Sequence, residues 1–451
     1  MLKLTLKNPP TNVVITFGNL YHGNEITTFS MQNVRVMMVA RFFYPHKGGA
    51  ENQCLLLGKN LVQIGVKVNV ITEYYSRHLL REEIIDGVRV RRCKTLRYYF
   101  QHLMQNIDND NTHSTESNKS IFLLLQKDFL KRYFFGSLRI LNEYTFIASI
   151  FFYLIKYRKN YDLIHGHQAN WIAIPCAWGA FLLKKPVLIK DATLNGLETL
   201  RSIRLGNRTR GFIIKHSNFI AMSTSIYENL LSYAIPKERI HRCPNGVEVP
   251  ERRWEMPRNS QKVLFIGNFW QGPIKGLDVL IRAMNLVVHA IETAELIVAG
   301  EGDRSRYKDL LDELQLEKRI IFLGRVEDVT ALYLQSSVFV LPSRQEGMSN
   351  VLLEAMAIGM PCVVTNVSGS NDLVMNGIDG LLVESGDVDS LANAIVYMLK
   401  NNDDATKMGE AGRNTIEQNY EIRHIAERYK NIYDRLVAHH VISKRNYAFK
   451  K

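Results

Sequence analysis

The sequence predicts an α/β protein built from two doubly wound, Rossmann-like domains that face a central cleft. Three observations carry that prediction. Short apolar runs of strand length alternate with helical stretches along most of the chain. The alternation stops at 248–260 (EVPERRWEMPRNS), which holds two prolines and no periodicity, and then starts again. The length of 451 residues exceeds the roughly 150 residues of a typical domain. Repeated strand–helix alternation gives parallel sheets with helices on both faces. Ligands in such sheets bind beyond the carboxyl ends of the strands, so the residues that follow each strand are the ones to inspect.

The elements follow in order. Residues 1–33 form an extension, because nothing periodic begins before Val34. Residues 34–250 form the first domain. Its strands are expected at Arg35–Ala40, Val66–Thr72, Val88–Arg92, Tyr161–His165, Val187–Lys190 and Phe219–Met222. Gln105–Ser120 (QNIDNDNTHSTESNKS) is polar and low in complexity, which reads as a mobile loop. The linker covers 251–260, where proline interrupts the pattern. The second domain, 261–420, has strands at Lys262–Ile266, Ala294–Ala299, Arg319–Leu323, Val338–Leu341 and Cys362–Thr365. Residues 421–451 are a final helix and basic tail, expected to cross back to the first domain.

Composition narrows the functional classes. Five cysteines (Cys54, Cys93, Cys176, Cys243, Cys362) are odd in number and dispersed. That favours reduced thiols in a cytoplasm over a disulfide frame or a zinc site. The first ten residues carry Lys3, Lys7 and two prolines without an apolar core, so no signal peptide is expected. The net charge of +13 is uneven, +16 over residues 1–250 and −3 over the remainder. A basic face suits nucleic acid, anionic lipid or an anionic substrate. No RNA-recognition, KH or zinc-knuckle signature is present, so nucleic acid is set aside. Phe146–Ile155 is apolar but about half the length of a spanning helix. Its surroundings, 121–160, mix Lys and Arg with Phe, Tyr, Leu and Ile. Two readings stay open: a helix in a membrane interface, or a core helix with solvated basic ends.

Several motifs stand where chemistry is expected. Gly48-Gly49 follows the first strand and opens a helix, a place for backbone N–H groups to meet an anion; a plain tight turn is the bland alternative. In the second domain Gly267-Asn268 follows the first strand, and Gly272-Pro273-Ile274-Lys275-Gly276 opens the next helix. A lysine in a first helical turn opposes the dipole unless a diphosphate sits there. Gly300-Glu301-Gly302 resembles the start of a dinucleotide fingerprint but has Ser305 at the third glycine, so a dehydrogenase is rejected. His165-Gly166-His167 ends a strand, with the second histidine expected in the cleft, able to hydrogen-bond a substrate or carry a proton. No carboxylate accompanies the pair, so it is no metal site. Asp108–Asp110 and Asp387–Asp389 read as structural, the second as a helix cap. The densest signal is EGMSNVLLEAMAIGMP, 346–361. A helix apolar on nearly every face is normally buried, yet Glu354 lies within it and Glu346 stands before it. From those places Glu354 could accept hydrogen bonds from ribose hydroxyls, and Glu346 from a sugar.

These segments together resemble family-4 glycosyltransferases. Glu346-x7-Glu354 looks like the family signature, and FYPHKGGAEN (43–52), DLIHGH (162–167), PNGVE (244–248), GPIKGLDVLIRA (272–283), VAGEGDR (298–304), IFLGRV (321–326) and NGIDGLLVESGD (376–387) agree in order. The resemblance runs from Val34 to about Val437. It implies a GT-B fold and a retaining transfer from a nucleotide-sugar, with no cofactor and no obligatory metal. By motif position it implies that Glu354 binds the donor ribose and that Glu346, with Met348, Ser349 and Asn350, holds the transferred sugar. Lys275 would hold the diphosphate, with Gly48 and Gly49 approaching from the other domain. His167 would reach the donor sugar, and Arg325 and Val326 would border the base. Many members have Arg where this chain has Asn268; Arg344 is a candidate stand-in. The expected partners are a nucleotide-sugar donor, a glycan or lipid-linked acceptor and, peripherally, an anionic membrane at its cytoplasmic face. Two alternatives differ in testable ways. An epimerase or hydrolase on the same fold would release free sugar without an acceptor. A non-catalytic sugar-nucleotide binder would show no turnover.

Overall fold

The computed structural model describes residues 3–4, 13–16, 26–29, 33–46, 48–76, 78–99, 128–192, 196–202, 206–257, 260–269 and 272–448. The first domain holds an eight-stranded sheet. Its order across the sheet is Ile240–Arg242, Asn218–Ala221, Val187–Asp191, Leu163–Gly166, Arg35–Val39, Lys67–Glu73, Val88–Cys93 and Glu82–Ile85. All neighbours are parallel except the last pair. The second domain has six parallel strands, ordered Ile320–Gly324, Glu295–Ala299, Lys262–Ile266, Val338–Leu341, Cys362–Thr365 and Leu381–Val383. The central strands are apolar without alternation because helices cover both faces. Val187, Leu188 and Ile189 are all buried, as are Val338 to Leu341.

The linker is not loose. Trp254 is buried, its indole N–H donates to the Ser336 carbonyl at 2.8 Å, and its backbone N–H donates to the Ile358 carbonyl at 2.7 Å. The segment is thereby strapped to the second domain. The last helix, Ile422–Ala448, packs on the first domain: Ile425, Tyr429 and Tyr433 share a buried cluster with Val36, Met38 and Leu61.

Several expectations need correction. The extension contains three short strands, Lys3–Leu4, Val13–Thr16 and Ile26–Phe29, paired antiparallel, where nothing regular was expected. The edge strand Glu82–Ile85 was missed. Asp86 and Gly87, at φ 48° and 80°, join it to Val88–Cys93. An Asp-Gly pair with both residues at positive φ is a two-residue hairpin turn, so the signal was present. The polar segment 105–120 lies outside the described residues, as does Asp108–Asp110. The apolar run Phe146–Ile155 lies on a longer helix that begins at Asp128 and ends at Lys156. Phe146, Ile150, Tyr153 and Leu154 on it are buried, while Ile140, Tyr144, Phe152 and Ile155 are exposed. The described part of the helix thus has one buried apolar face and one exposed apolar face. Among the described residues no helix is long and apolar enough to cross a membrane.

Candidate active site

The second domain builds its side of the cleft from two loops. After strand Lys262–Ile266 the chain passes through a single 3-10 turn, Pro273–Lys275, and enters helix Leu277–Ala290. Gly276 caps that helix at φ 68°, and a Cβ there would stand 1.8 Å from the Pro342 carbonyl oxygen, so only glycine fits. Lys275 therefore precedes the helix cap and does not lie in the first turn, as the sequence had suggested. Its ammonium forms an ion pair with Glu346. Glu346 follows strand Val338–Leu341 and is 9 % exposed. Ser343 Oγ also donates to its carboxylate at 3.4 Å, and Ser368 Oγ donates to its backbone carbonyl at 2.6 Å. The glutamate is thus held from both ends.

Ser349 caps helix Asn350–Ile358, its Oγ accepting from the Leu352 N–H at 3.4 Å. Leu352, Leu353, Ala355, Met356, Ala357 and Ile358 are buried, as the apolar sequence requires. Glu354 is the exception. It accepts a hydrogen bond from the Tyr333 hydroxyl at 3.1 Å. Burial pushes its carboxyl from the ordinary 4.5 up to about 7, a rise that the Tyr333 bond only partly opposes. No sequence motif pointed to Tyr333, which sits on the short helix Thr330–Gln335.

Other expected residues take different places. Asn268 Oδ1 accepts from the Glu301 N–H at 2.9 Å and so fixes the loop after strand Glu295–Ala299. Arg344 is not a free stand-in for the missing arginine. It makes a two-pronged ion pair with Asp278, at 2.7 and 2.6 Å, and bonds the Pro273 carbonyl. It braces the Lys275 turn instead. Arg325 is exposed and pairs with Glu301 at 3.2 Å, while Val326 is half-buried against the core. Asp387 caps helix Val388–Lys400 by accepting from the Ser390 N–H at 3.0 Å. Among the described residues no three His, Cys, Asp or Glu side chains gather as a metal ion would need.

The first domain meets this side directly. Helix Gly49–Gln63 starts at the cleft, and the Gly49 carbonyl accepts from Asn350 Nδ2 at 2.8 Å. Gly48 has extended backbone, so neither glycine is demanded by conformation. A Cβ on Gly347 would come within 2.5 Å of the Ala192 carbonyl oxygen, so the turn before the helix abuts the other domain. Behind Gly49 runs a polar relay that the sequence did not announce. Lys190 Nζ donates to Asn245 Oδ1 at 2.7 Å, Asn245 Nδ2 donates to Asn350 Oδ1 at 2.8 Å, and the Asn245 N–H meets Met348 Sδ at 3.2 Å. Lys190 is buried and has a neutral partner, so burial lowers its pKa to about 8. Asn245 belongs to PNGVE, a segment quoted for its resemblance but given no role.

His167 is less open than expected. It is 4 % exposed and its ring lies 4.2 Å from that of His165, centroid to centroid. His165 Nδ1 is 2.7 Å from the Tyr433 hydroxyl on the last helix. Burial, then the charge of Lys190, push His167 down to about 3. It is neutral at any physiological pH, suited to hydrogen bonding and not to carrying a proton. Among the described residues its Nε2 has no hydrogen-bond partner.

With this geometry in view, comparison with known proteins is decisive. The family model for glycosyltransferase family 4 matches residues 122–250, and that for glycosyl transferases group 1 matches 260–401. A GDP-mannose-dependent monoacylated α-(1-6)-phosphatidylinositol monomannoside mannosyltransferase of Corynebacterium glutamicum is 34 % identical over 279 residues, covering 59 % of this chain and 68 % of that one. The chain belongs to glycosyltransferase family 4. A second relative of this family-4 chain is the UDP-Gal:α-D-GlcNAc-diphosphoundecaprenol α-1,3-galactosyltransferase of Escherichia coli, 28 % identical over 63 % of this chain and 78 % of the relative. The crystal structure of Anabaena HepE with UDP and glucose superposes with a TM-score of 0.66 at 17 % identity, covering 89 % of this chain and all of the other. That likeness shows the fold, and the family-4 chain is GT-B.

Proposed function

We propose that this glycosyltransferase moves a sugar from a nucleotide-diphosphate sugar, with retention and without an obligatory metal, to a glycan or lipid-linked acceptor in polysaccharide or glycolipid synthesis. One observation carries the reading: the Lys275–Glu346 pair, formed by two loops at the carboxyl ends of neighbouring strands beside the start of helix Asn350–Ile358. An ammonium and a carboxylate so placed divide the donor between them. Lys275 meets the diphosphate and stabilises the charge that develops as it departs. Glu346, released from Lys275, accepts hydrogen bonds from the sugar. Glu354 accepts from the ribose hydroxyls. The bond from the anomeric carbon to the diphosphate oxygen breaks, and a bond to the acceptor oxygen forms on the same face. The acceptor's proton goes to the departing diphosphate, so no protein nucleophile is needed. Neutral His167 offers a hydrogen bond to the donor sugar.

The acceptor class draws support from relatives whose names specify a diphosphoundecaprenol glycolipid and a phosphatidylinositol mannoside. Peripheral contact with an anionic membrane, on its cytoplasmic face, belongs to the same reading. Phe152, Ile155, Phe181 and Leu182 are exposed on two helices that pack together, beside Lys156 and Lys184. Equal sedimentation of Phe181→Ser/Leu182→Ser and the unaltered protein with phosphatidylglycerol vesicles would remove that part.

The decisive experiment is a thermal-shift panel of uridine, guanosine and adenosine diphosphates and their sugars. At roughly 100 times the dissociation constant, a bound nucleotide adds about 2.7 kcal/mol of stability. One base is expected to raise the melting temperature, and Glu354→Ala is expected to abolish the rise. A panel without any shift refutes the donor assignment.

A further inference from the structure

The strand Val88–Cys93 and the residues after it treat their cations in two ways. Arg89 and Arg91 face Glu82, at 4.0 and 3.1 Å, and Arg92 is paired with Glu83. Arg41, after the first strand, is paired with both Glu73 and Glu143. Beyond Cys93 the pattern changes. Among the described residues Lys94 and Arg97 have no carboxylate in ion-pair reach. They lie over aromatic rings instead: Lys94 Nζ is 4.8 Å from the centre of Tyr98, and Arg97 Cζ is 5.6 Å from the centre of Phe42. An aromatic face orients a cation without neutralising it or using its N–H donors. Among the described residues no hydrogen bond engages either side chain, so their N–H donors face an anion unopposed.

The backbone that carries them is fixed. Thr95 is buried and its Oγ donates to Glu73 at 2.7 Å. The Leu96 N–H donates to Thr145 Oγ at 3.1 Å, and the Arg97 N–H to Asn142 Oδ1 at 2.6 Å. Position matters as much. The segment leaves the carboxyl end of its strand on the cleft side, and Phe42, under Arg97, lines a small hollow with His167 and Gln168. Lys275 stands on the other domain, so these cations are not the donor's diphosphate site.

We infer that Lys94 and Arg97 hold an oxyanion of the acceptor, a phosphate or diphosphate borne by the sugar that receives the transferred residue. This rests on the transferase reading above. Two sources share that chemistry, a lipid-linked glycosyl diphosphate and a water-soluble glycosyl phosphate.

The test titrates the full chain by calorimetry, with the donor side filled by whichever nucleoside diphosphate shifts its melting temperature. The probes are farnesyl diphospho-N-acetylglucosamine, glucose 1-phosphate and uncharged methyl α-glucoside. At least one charged probe is expected to bind measurably, and methyl α-glucoside at least tenfold more weakly. Arg97→Gln is expected to weaken the charged probe about tenfold and Lys94→Gln/Arg97→Gln further, with the nucleotide-induced shift unchanged. Preference for the farnesyl compound assigns a lipid-linked acceptor; equal binding of both charged probes assigns the phosphate alone. Binding indifferent to the double substitution, or to the charge of the probe, overturns the inference, as does failure of both charged probes to bind at millimolar concentration. If no nucleotide shifts the protein, the donor assignment fails, and the same titrations without nucleotide still decide the subsite.

Discussion

The two walls of the cleft handle polar groups in opposite ways. On the second domain, Lys275 and Glu346 form an ion pair, and the lysine is still partly exposed. On the first domain, Lys190, His165 and His167 are buried, and the bonded partners of Lys190 and His165 are neutral: Asn245 and Tyr433. One wall keeps ionised groups that can exchange each other for a ligand. The other keeps a fixed scaffold whose histidines are neutral. On the proposed reading, the difference gives stabilisation of the donor's charge to the second domain and positioning of the donor to the first. It can be broken one residue at a time.

The largest effect is expected at Lys275. Lys275→Ala removes the charge that would face the departing diphosphate, and it frees a carboxylate that would repel it. Loss of one preorganised donor of this kind costs roughly 10²–10³ in turnover. Steady-state kinetics with the donor found by thermal shift would check this, and a loss under threefold would move the diphosphate elsewhere. On the opposite wall, Asn245→Ala should act first on stability. It strips the buried Lys190 ammonium of its acceptor and cuts the bridge to Asn350. A hydrogen bond to a charged group is worth about 1.5–3 kcal/mol. Denaturant unfolding should show a loss of that order. An unchanged midpoint would mean that water replaces the amide and that the wall is less rigid than its bonds imply.

How much of this could be read beforehand depends on the scale of the signal. Both parallel sheets were legible, because buried strands such as Val338–Leu341 are uninterrupted apolar runs bounded by turns. The Asp86-Gly87 hairpin was legible too but was passed over, since the charged strand Glu82–Ile85 lacks apolar alternation. In the site, Glu346, Glu354 and Lys275 stood out because ionic side chains are costly in apolar or dipole-opposed settings. Their partners did not. Tyr333 lies 21 residues from Glu354 and Lys190 lies 55 from Asn245, and nothing local marks a residue whose role is to meet another across the fold. Arg344 failed as a stand-in for the same reason: its charge was visible, and its pairing with Asp278 was not.

Per unit of pH the effect at Glu354 is the smallest expected, and it is also the most specific. Burial raises the Glu354 carboxyl from 4.5 to about 7. Between those values the folded chain holds a proton that the unfolded chain has lost. Folding stability from this group is therefore greatest at low pH, declines as pH rises toward about 7, and is flat above it. The slope is about 1.4 kcal/mol per pH unit across the window. Glu354→Gln keeps the shape of the side chain and abolishes the slope, so the two stability curves should converge below pH 4.5 and separate by pH 7. A ribose reverses the preference, because its hydroxyls donate to the ionised form. Nucleotide affinity should therefore rise with pH up to about 7 and then level, whereas the glutamine variant should bind weakly at every pH. Unfolding curves and nucleotide titrations at pH 5, 6, 7 and 8 would read both effects on one protein. Parallel curves for the two chains would show that Glu354 stays ionised throughout, with water reaching its carboxylate and Tyr333 its main partner.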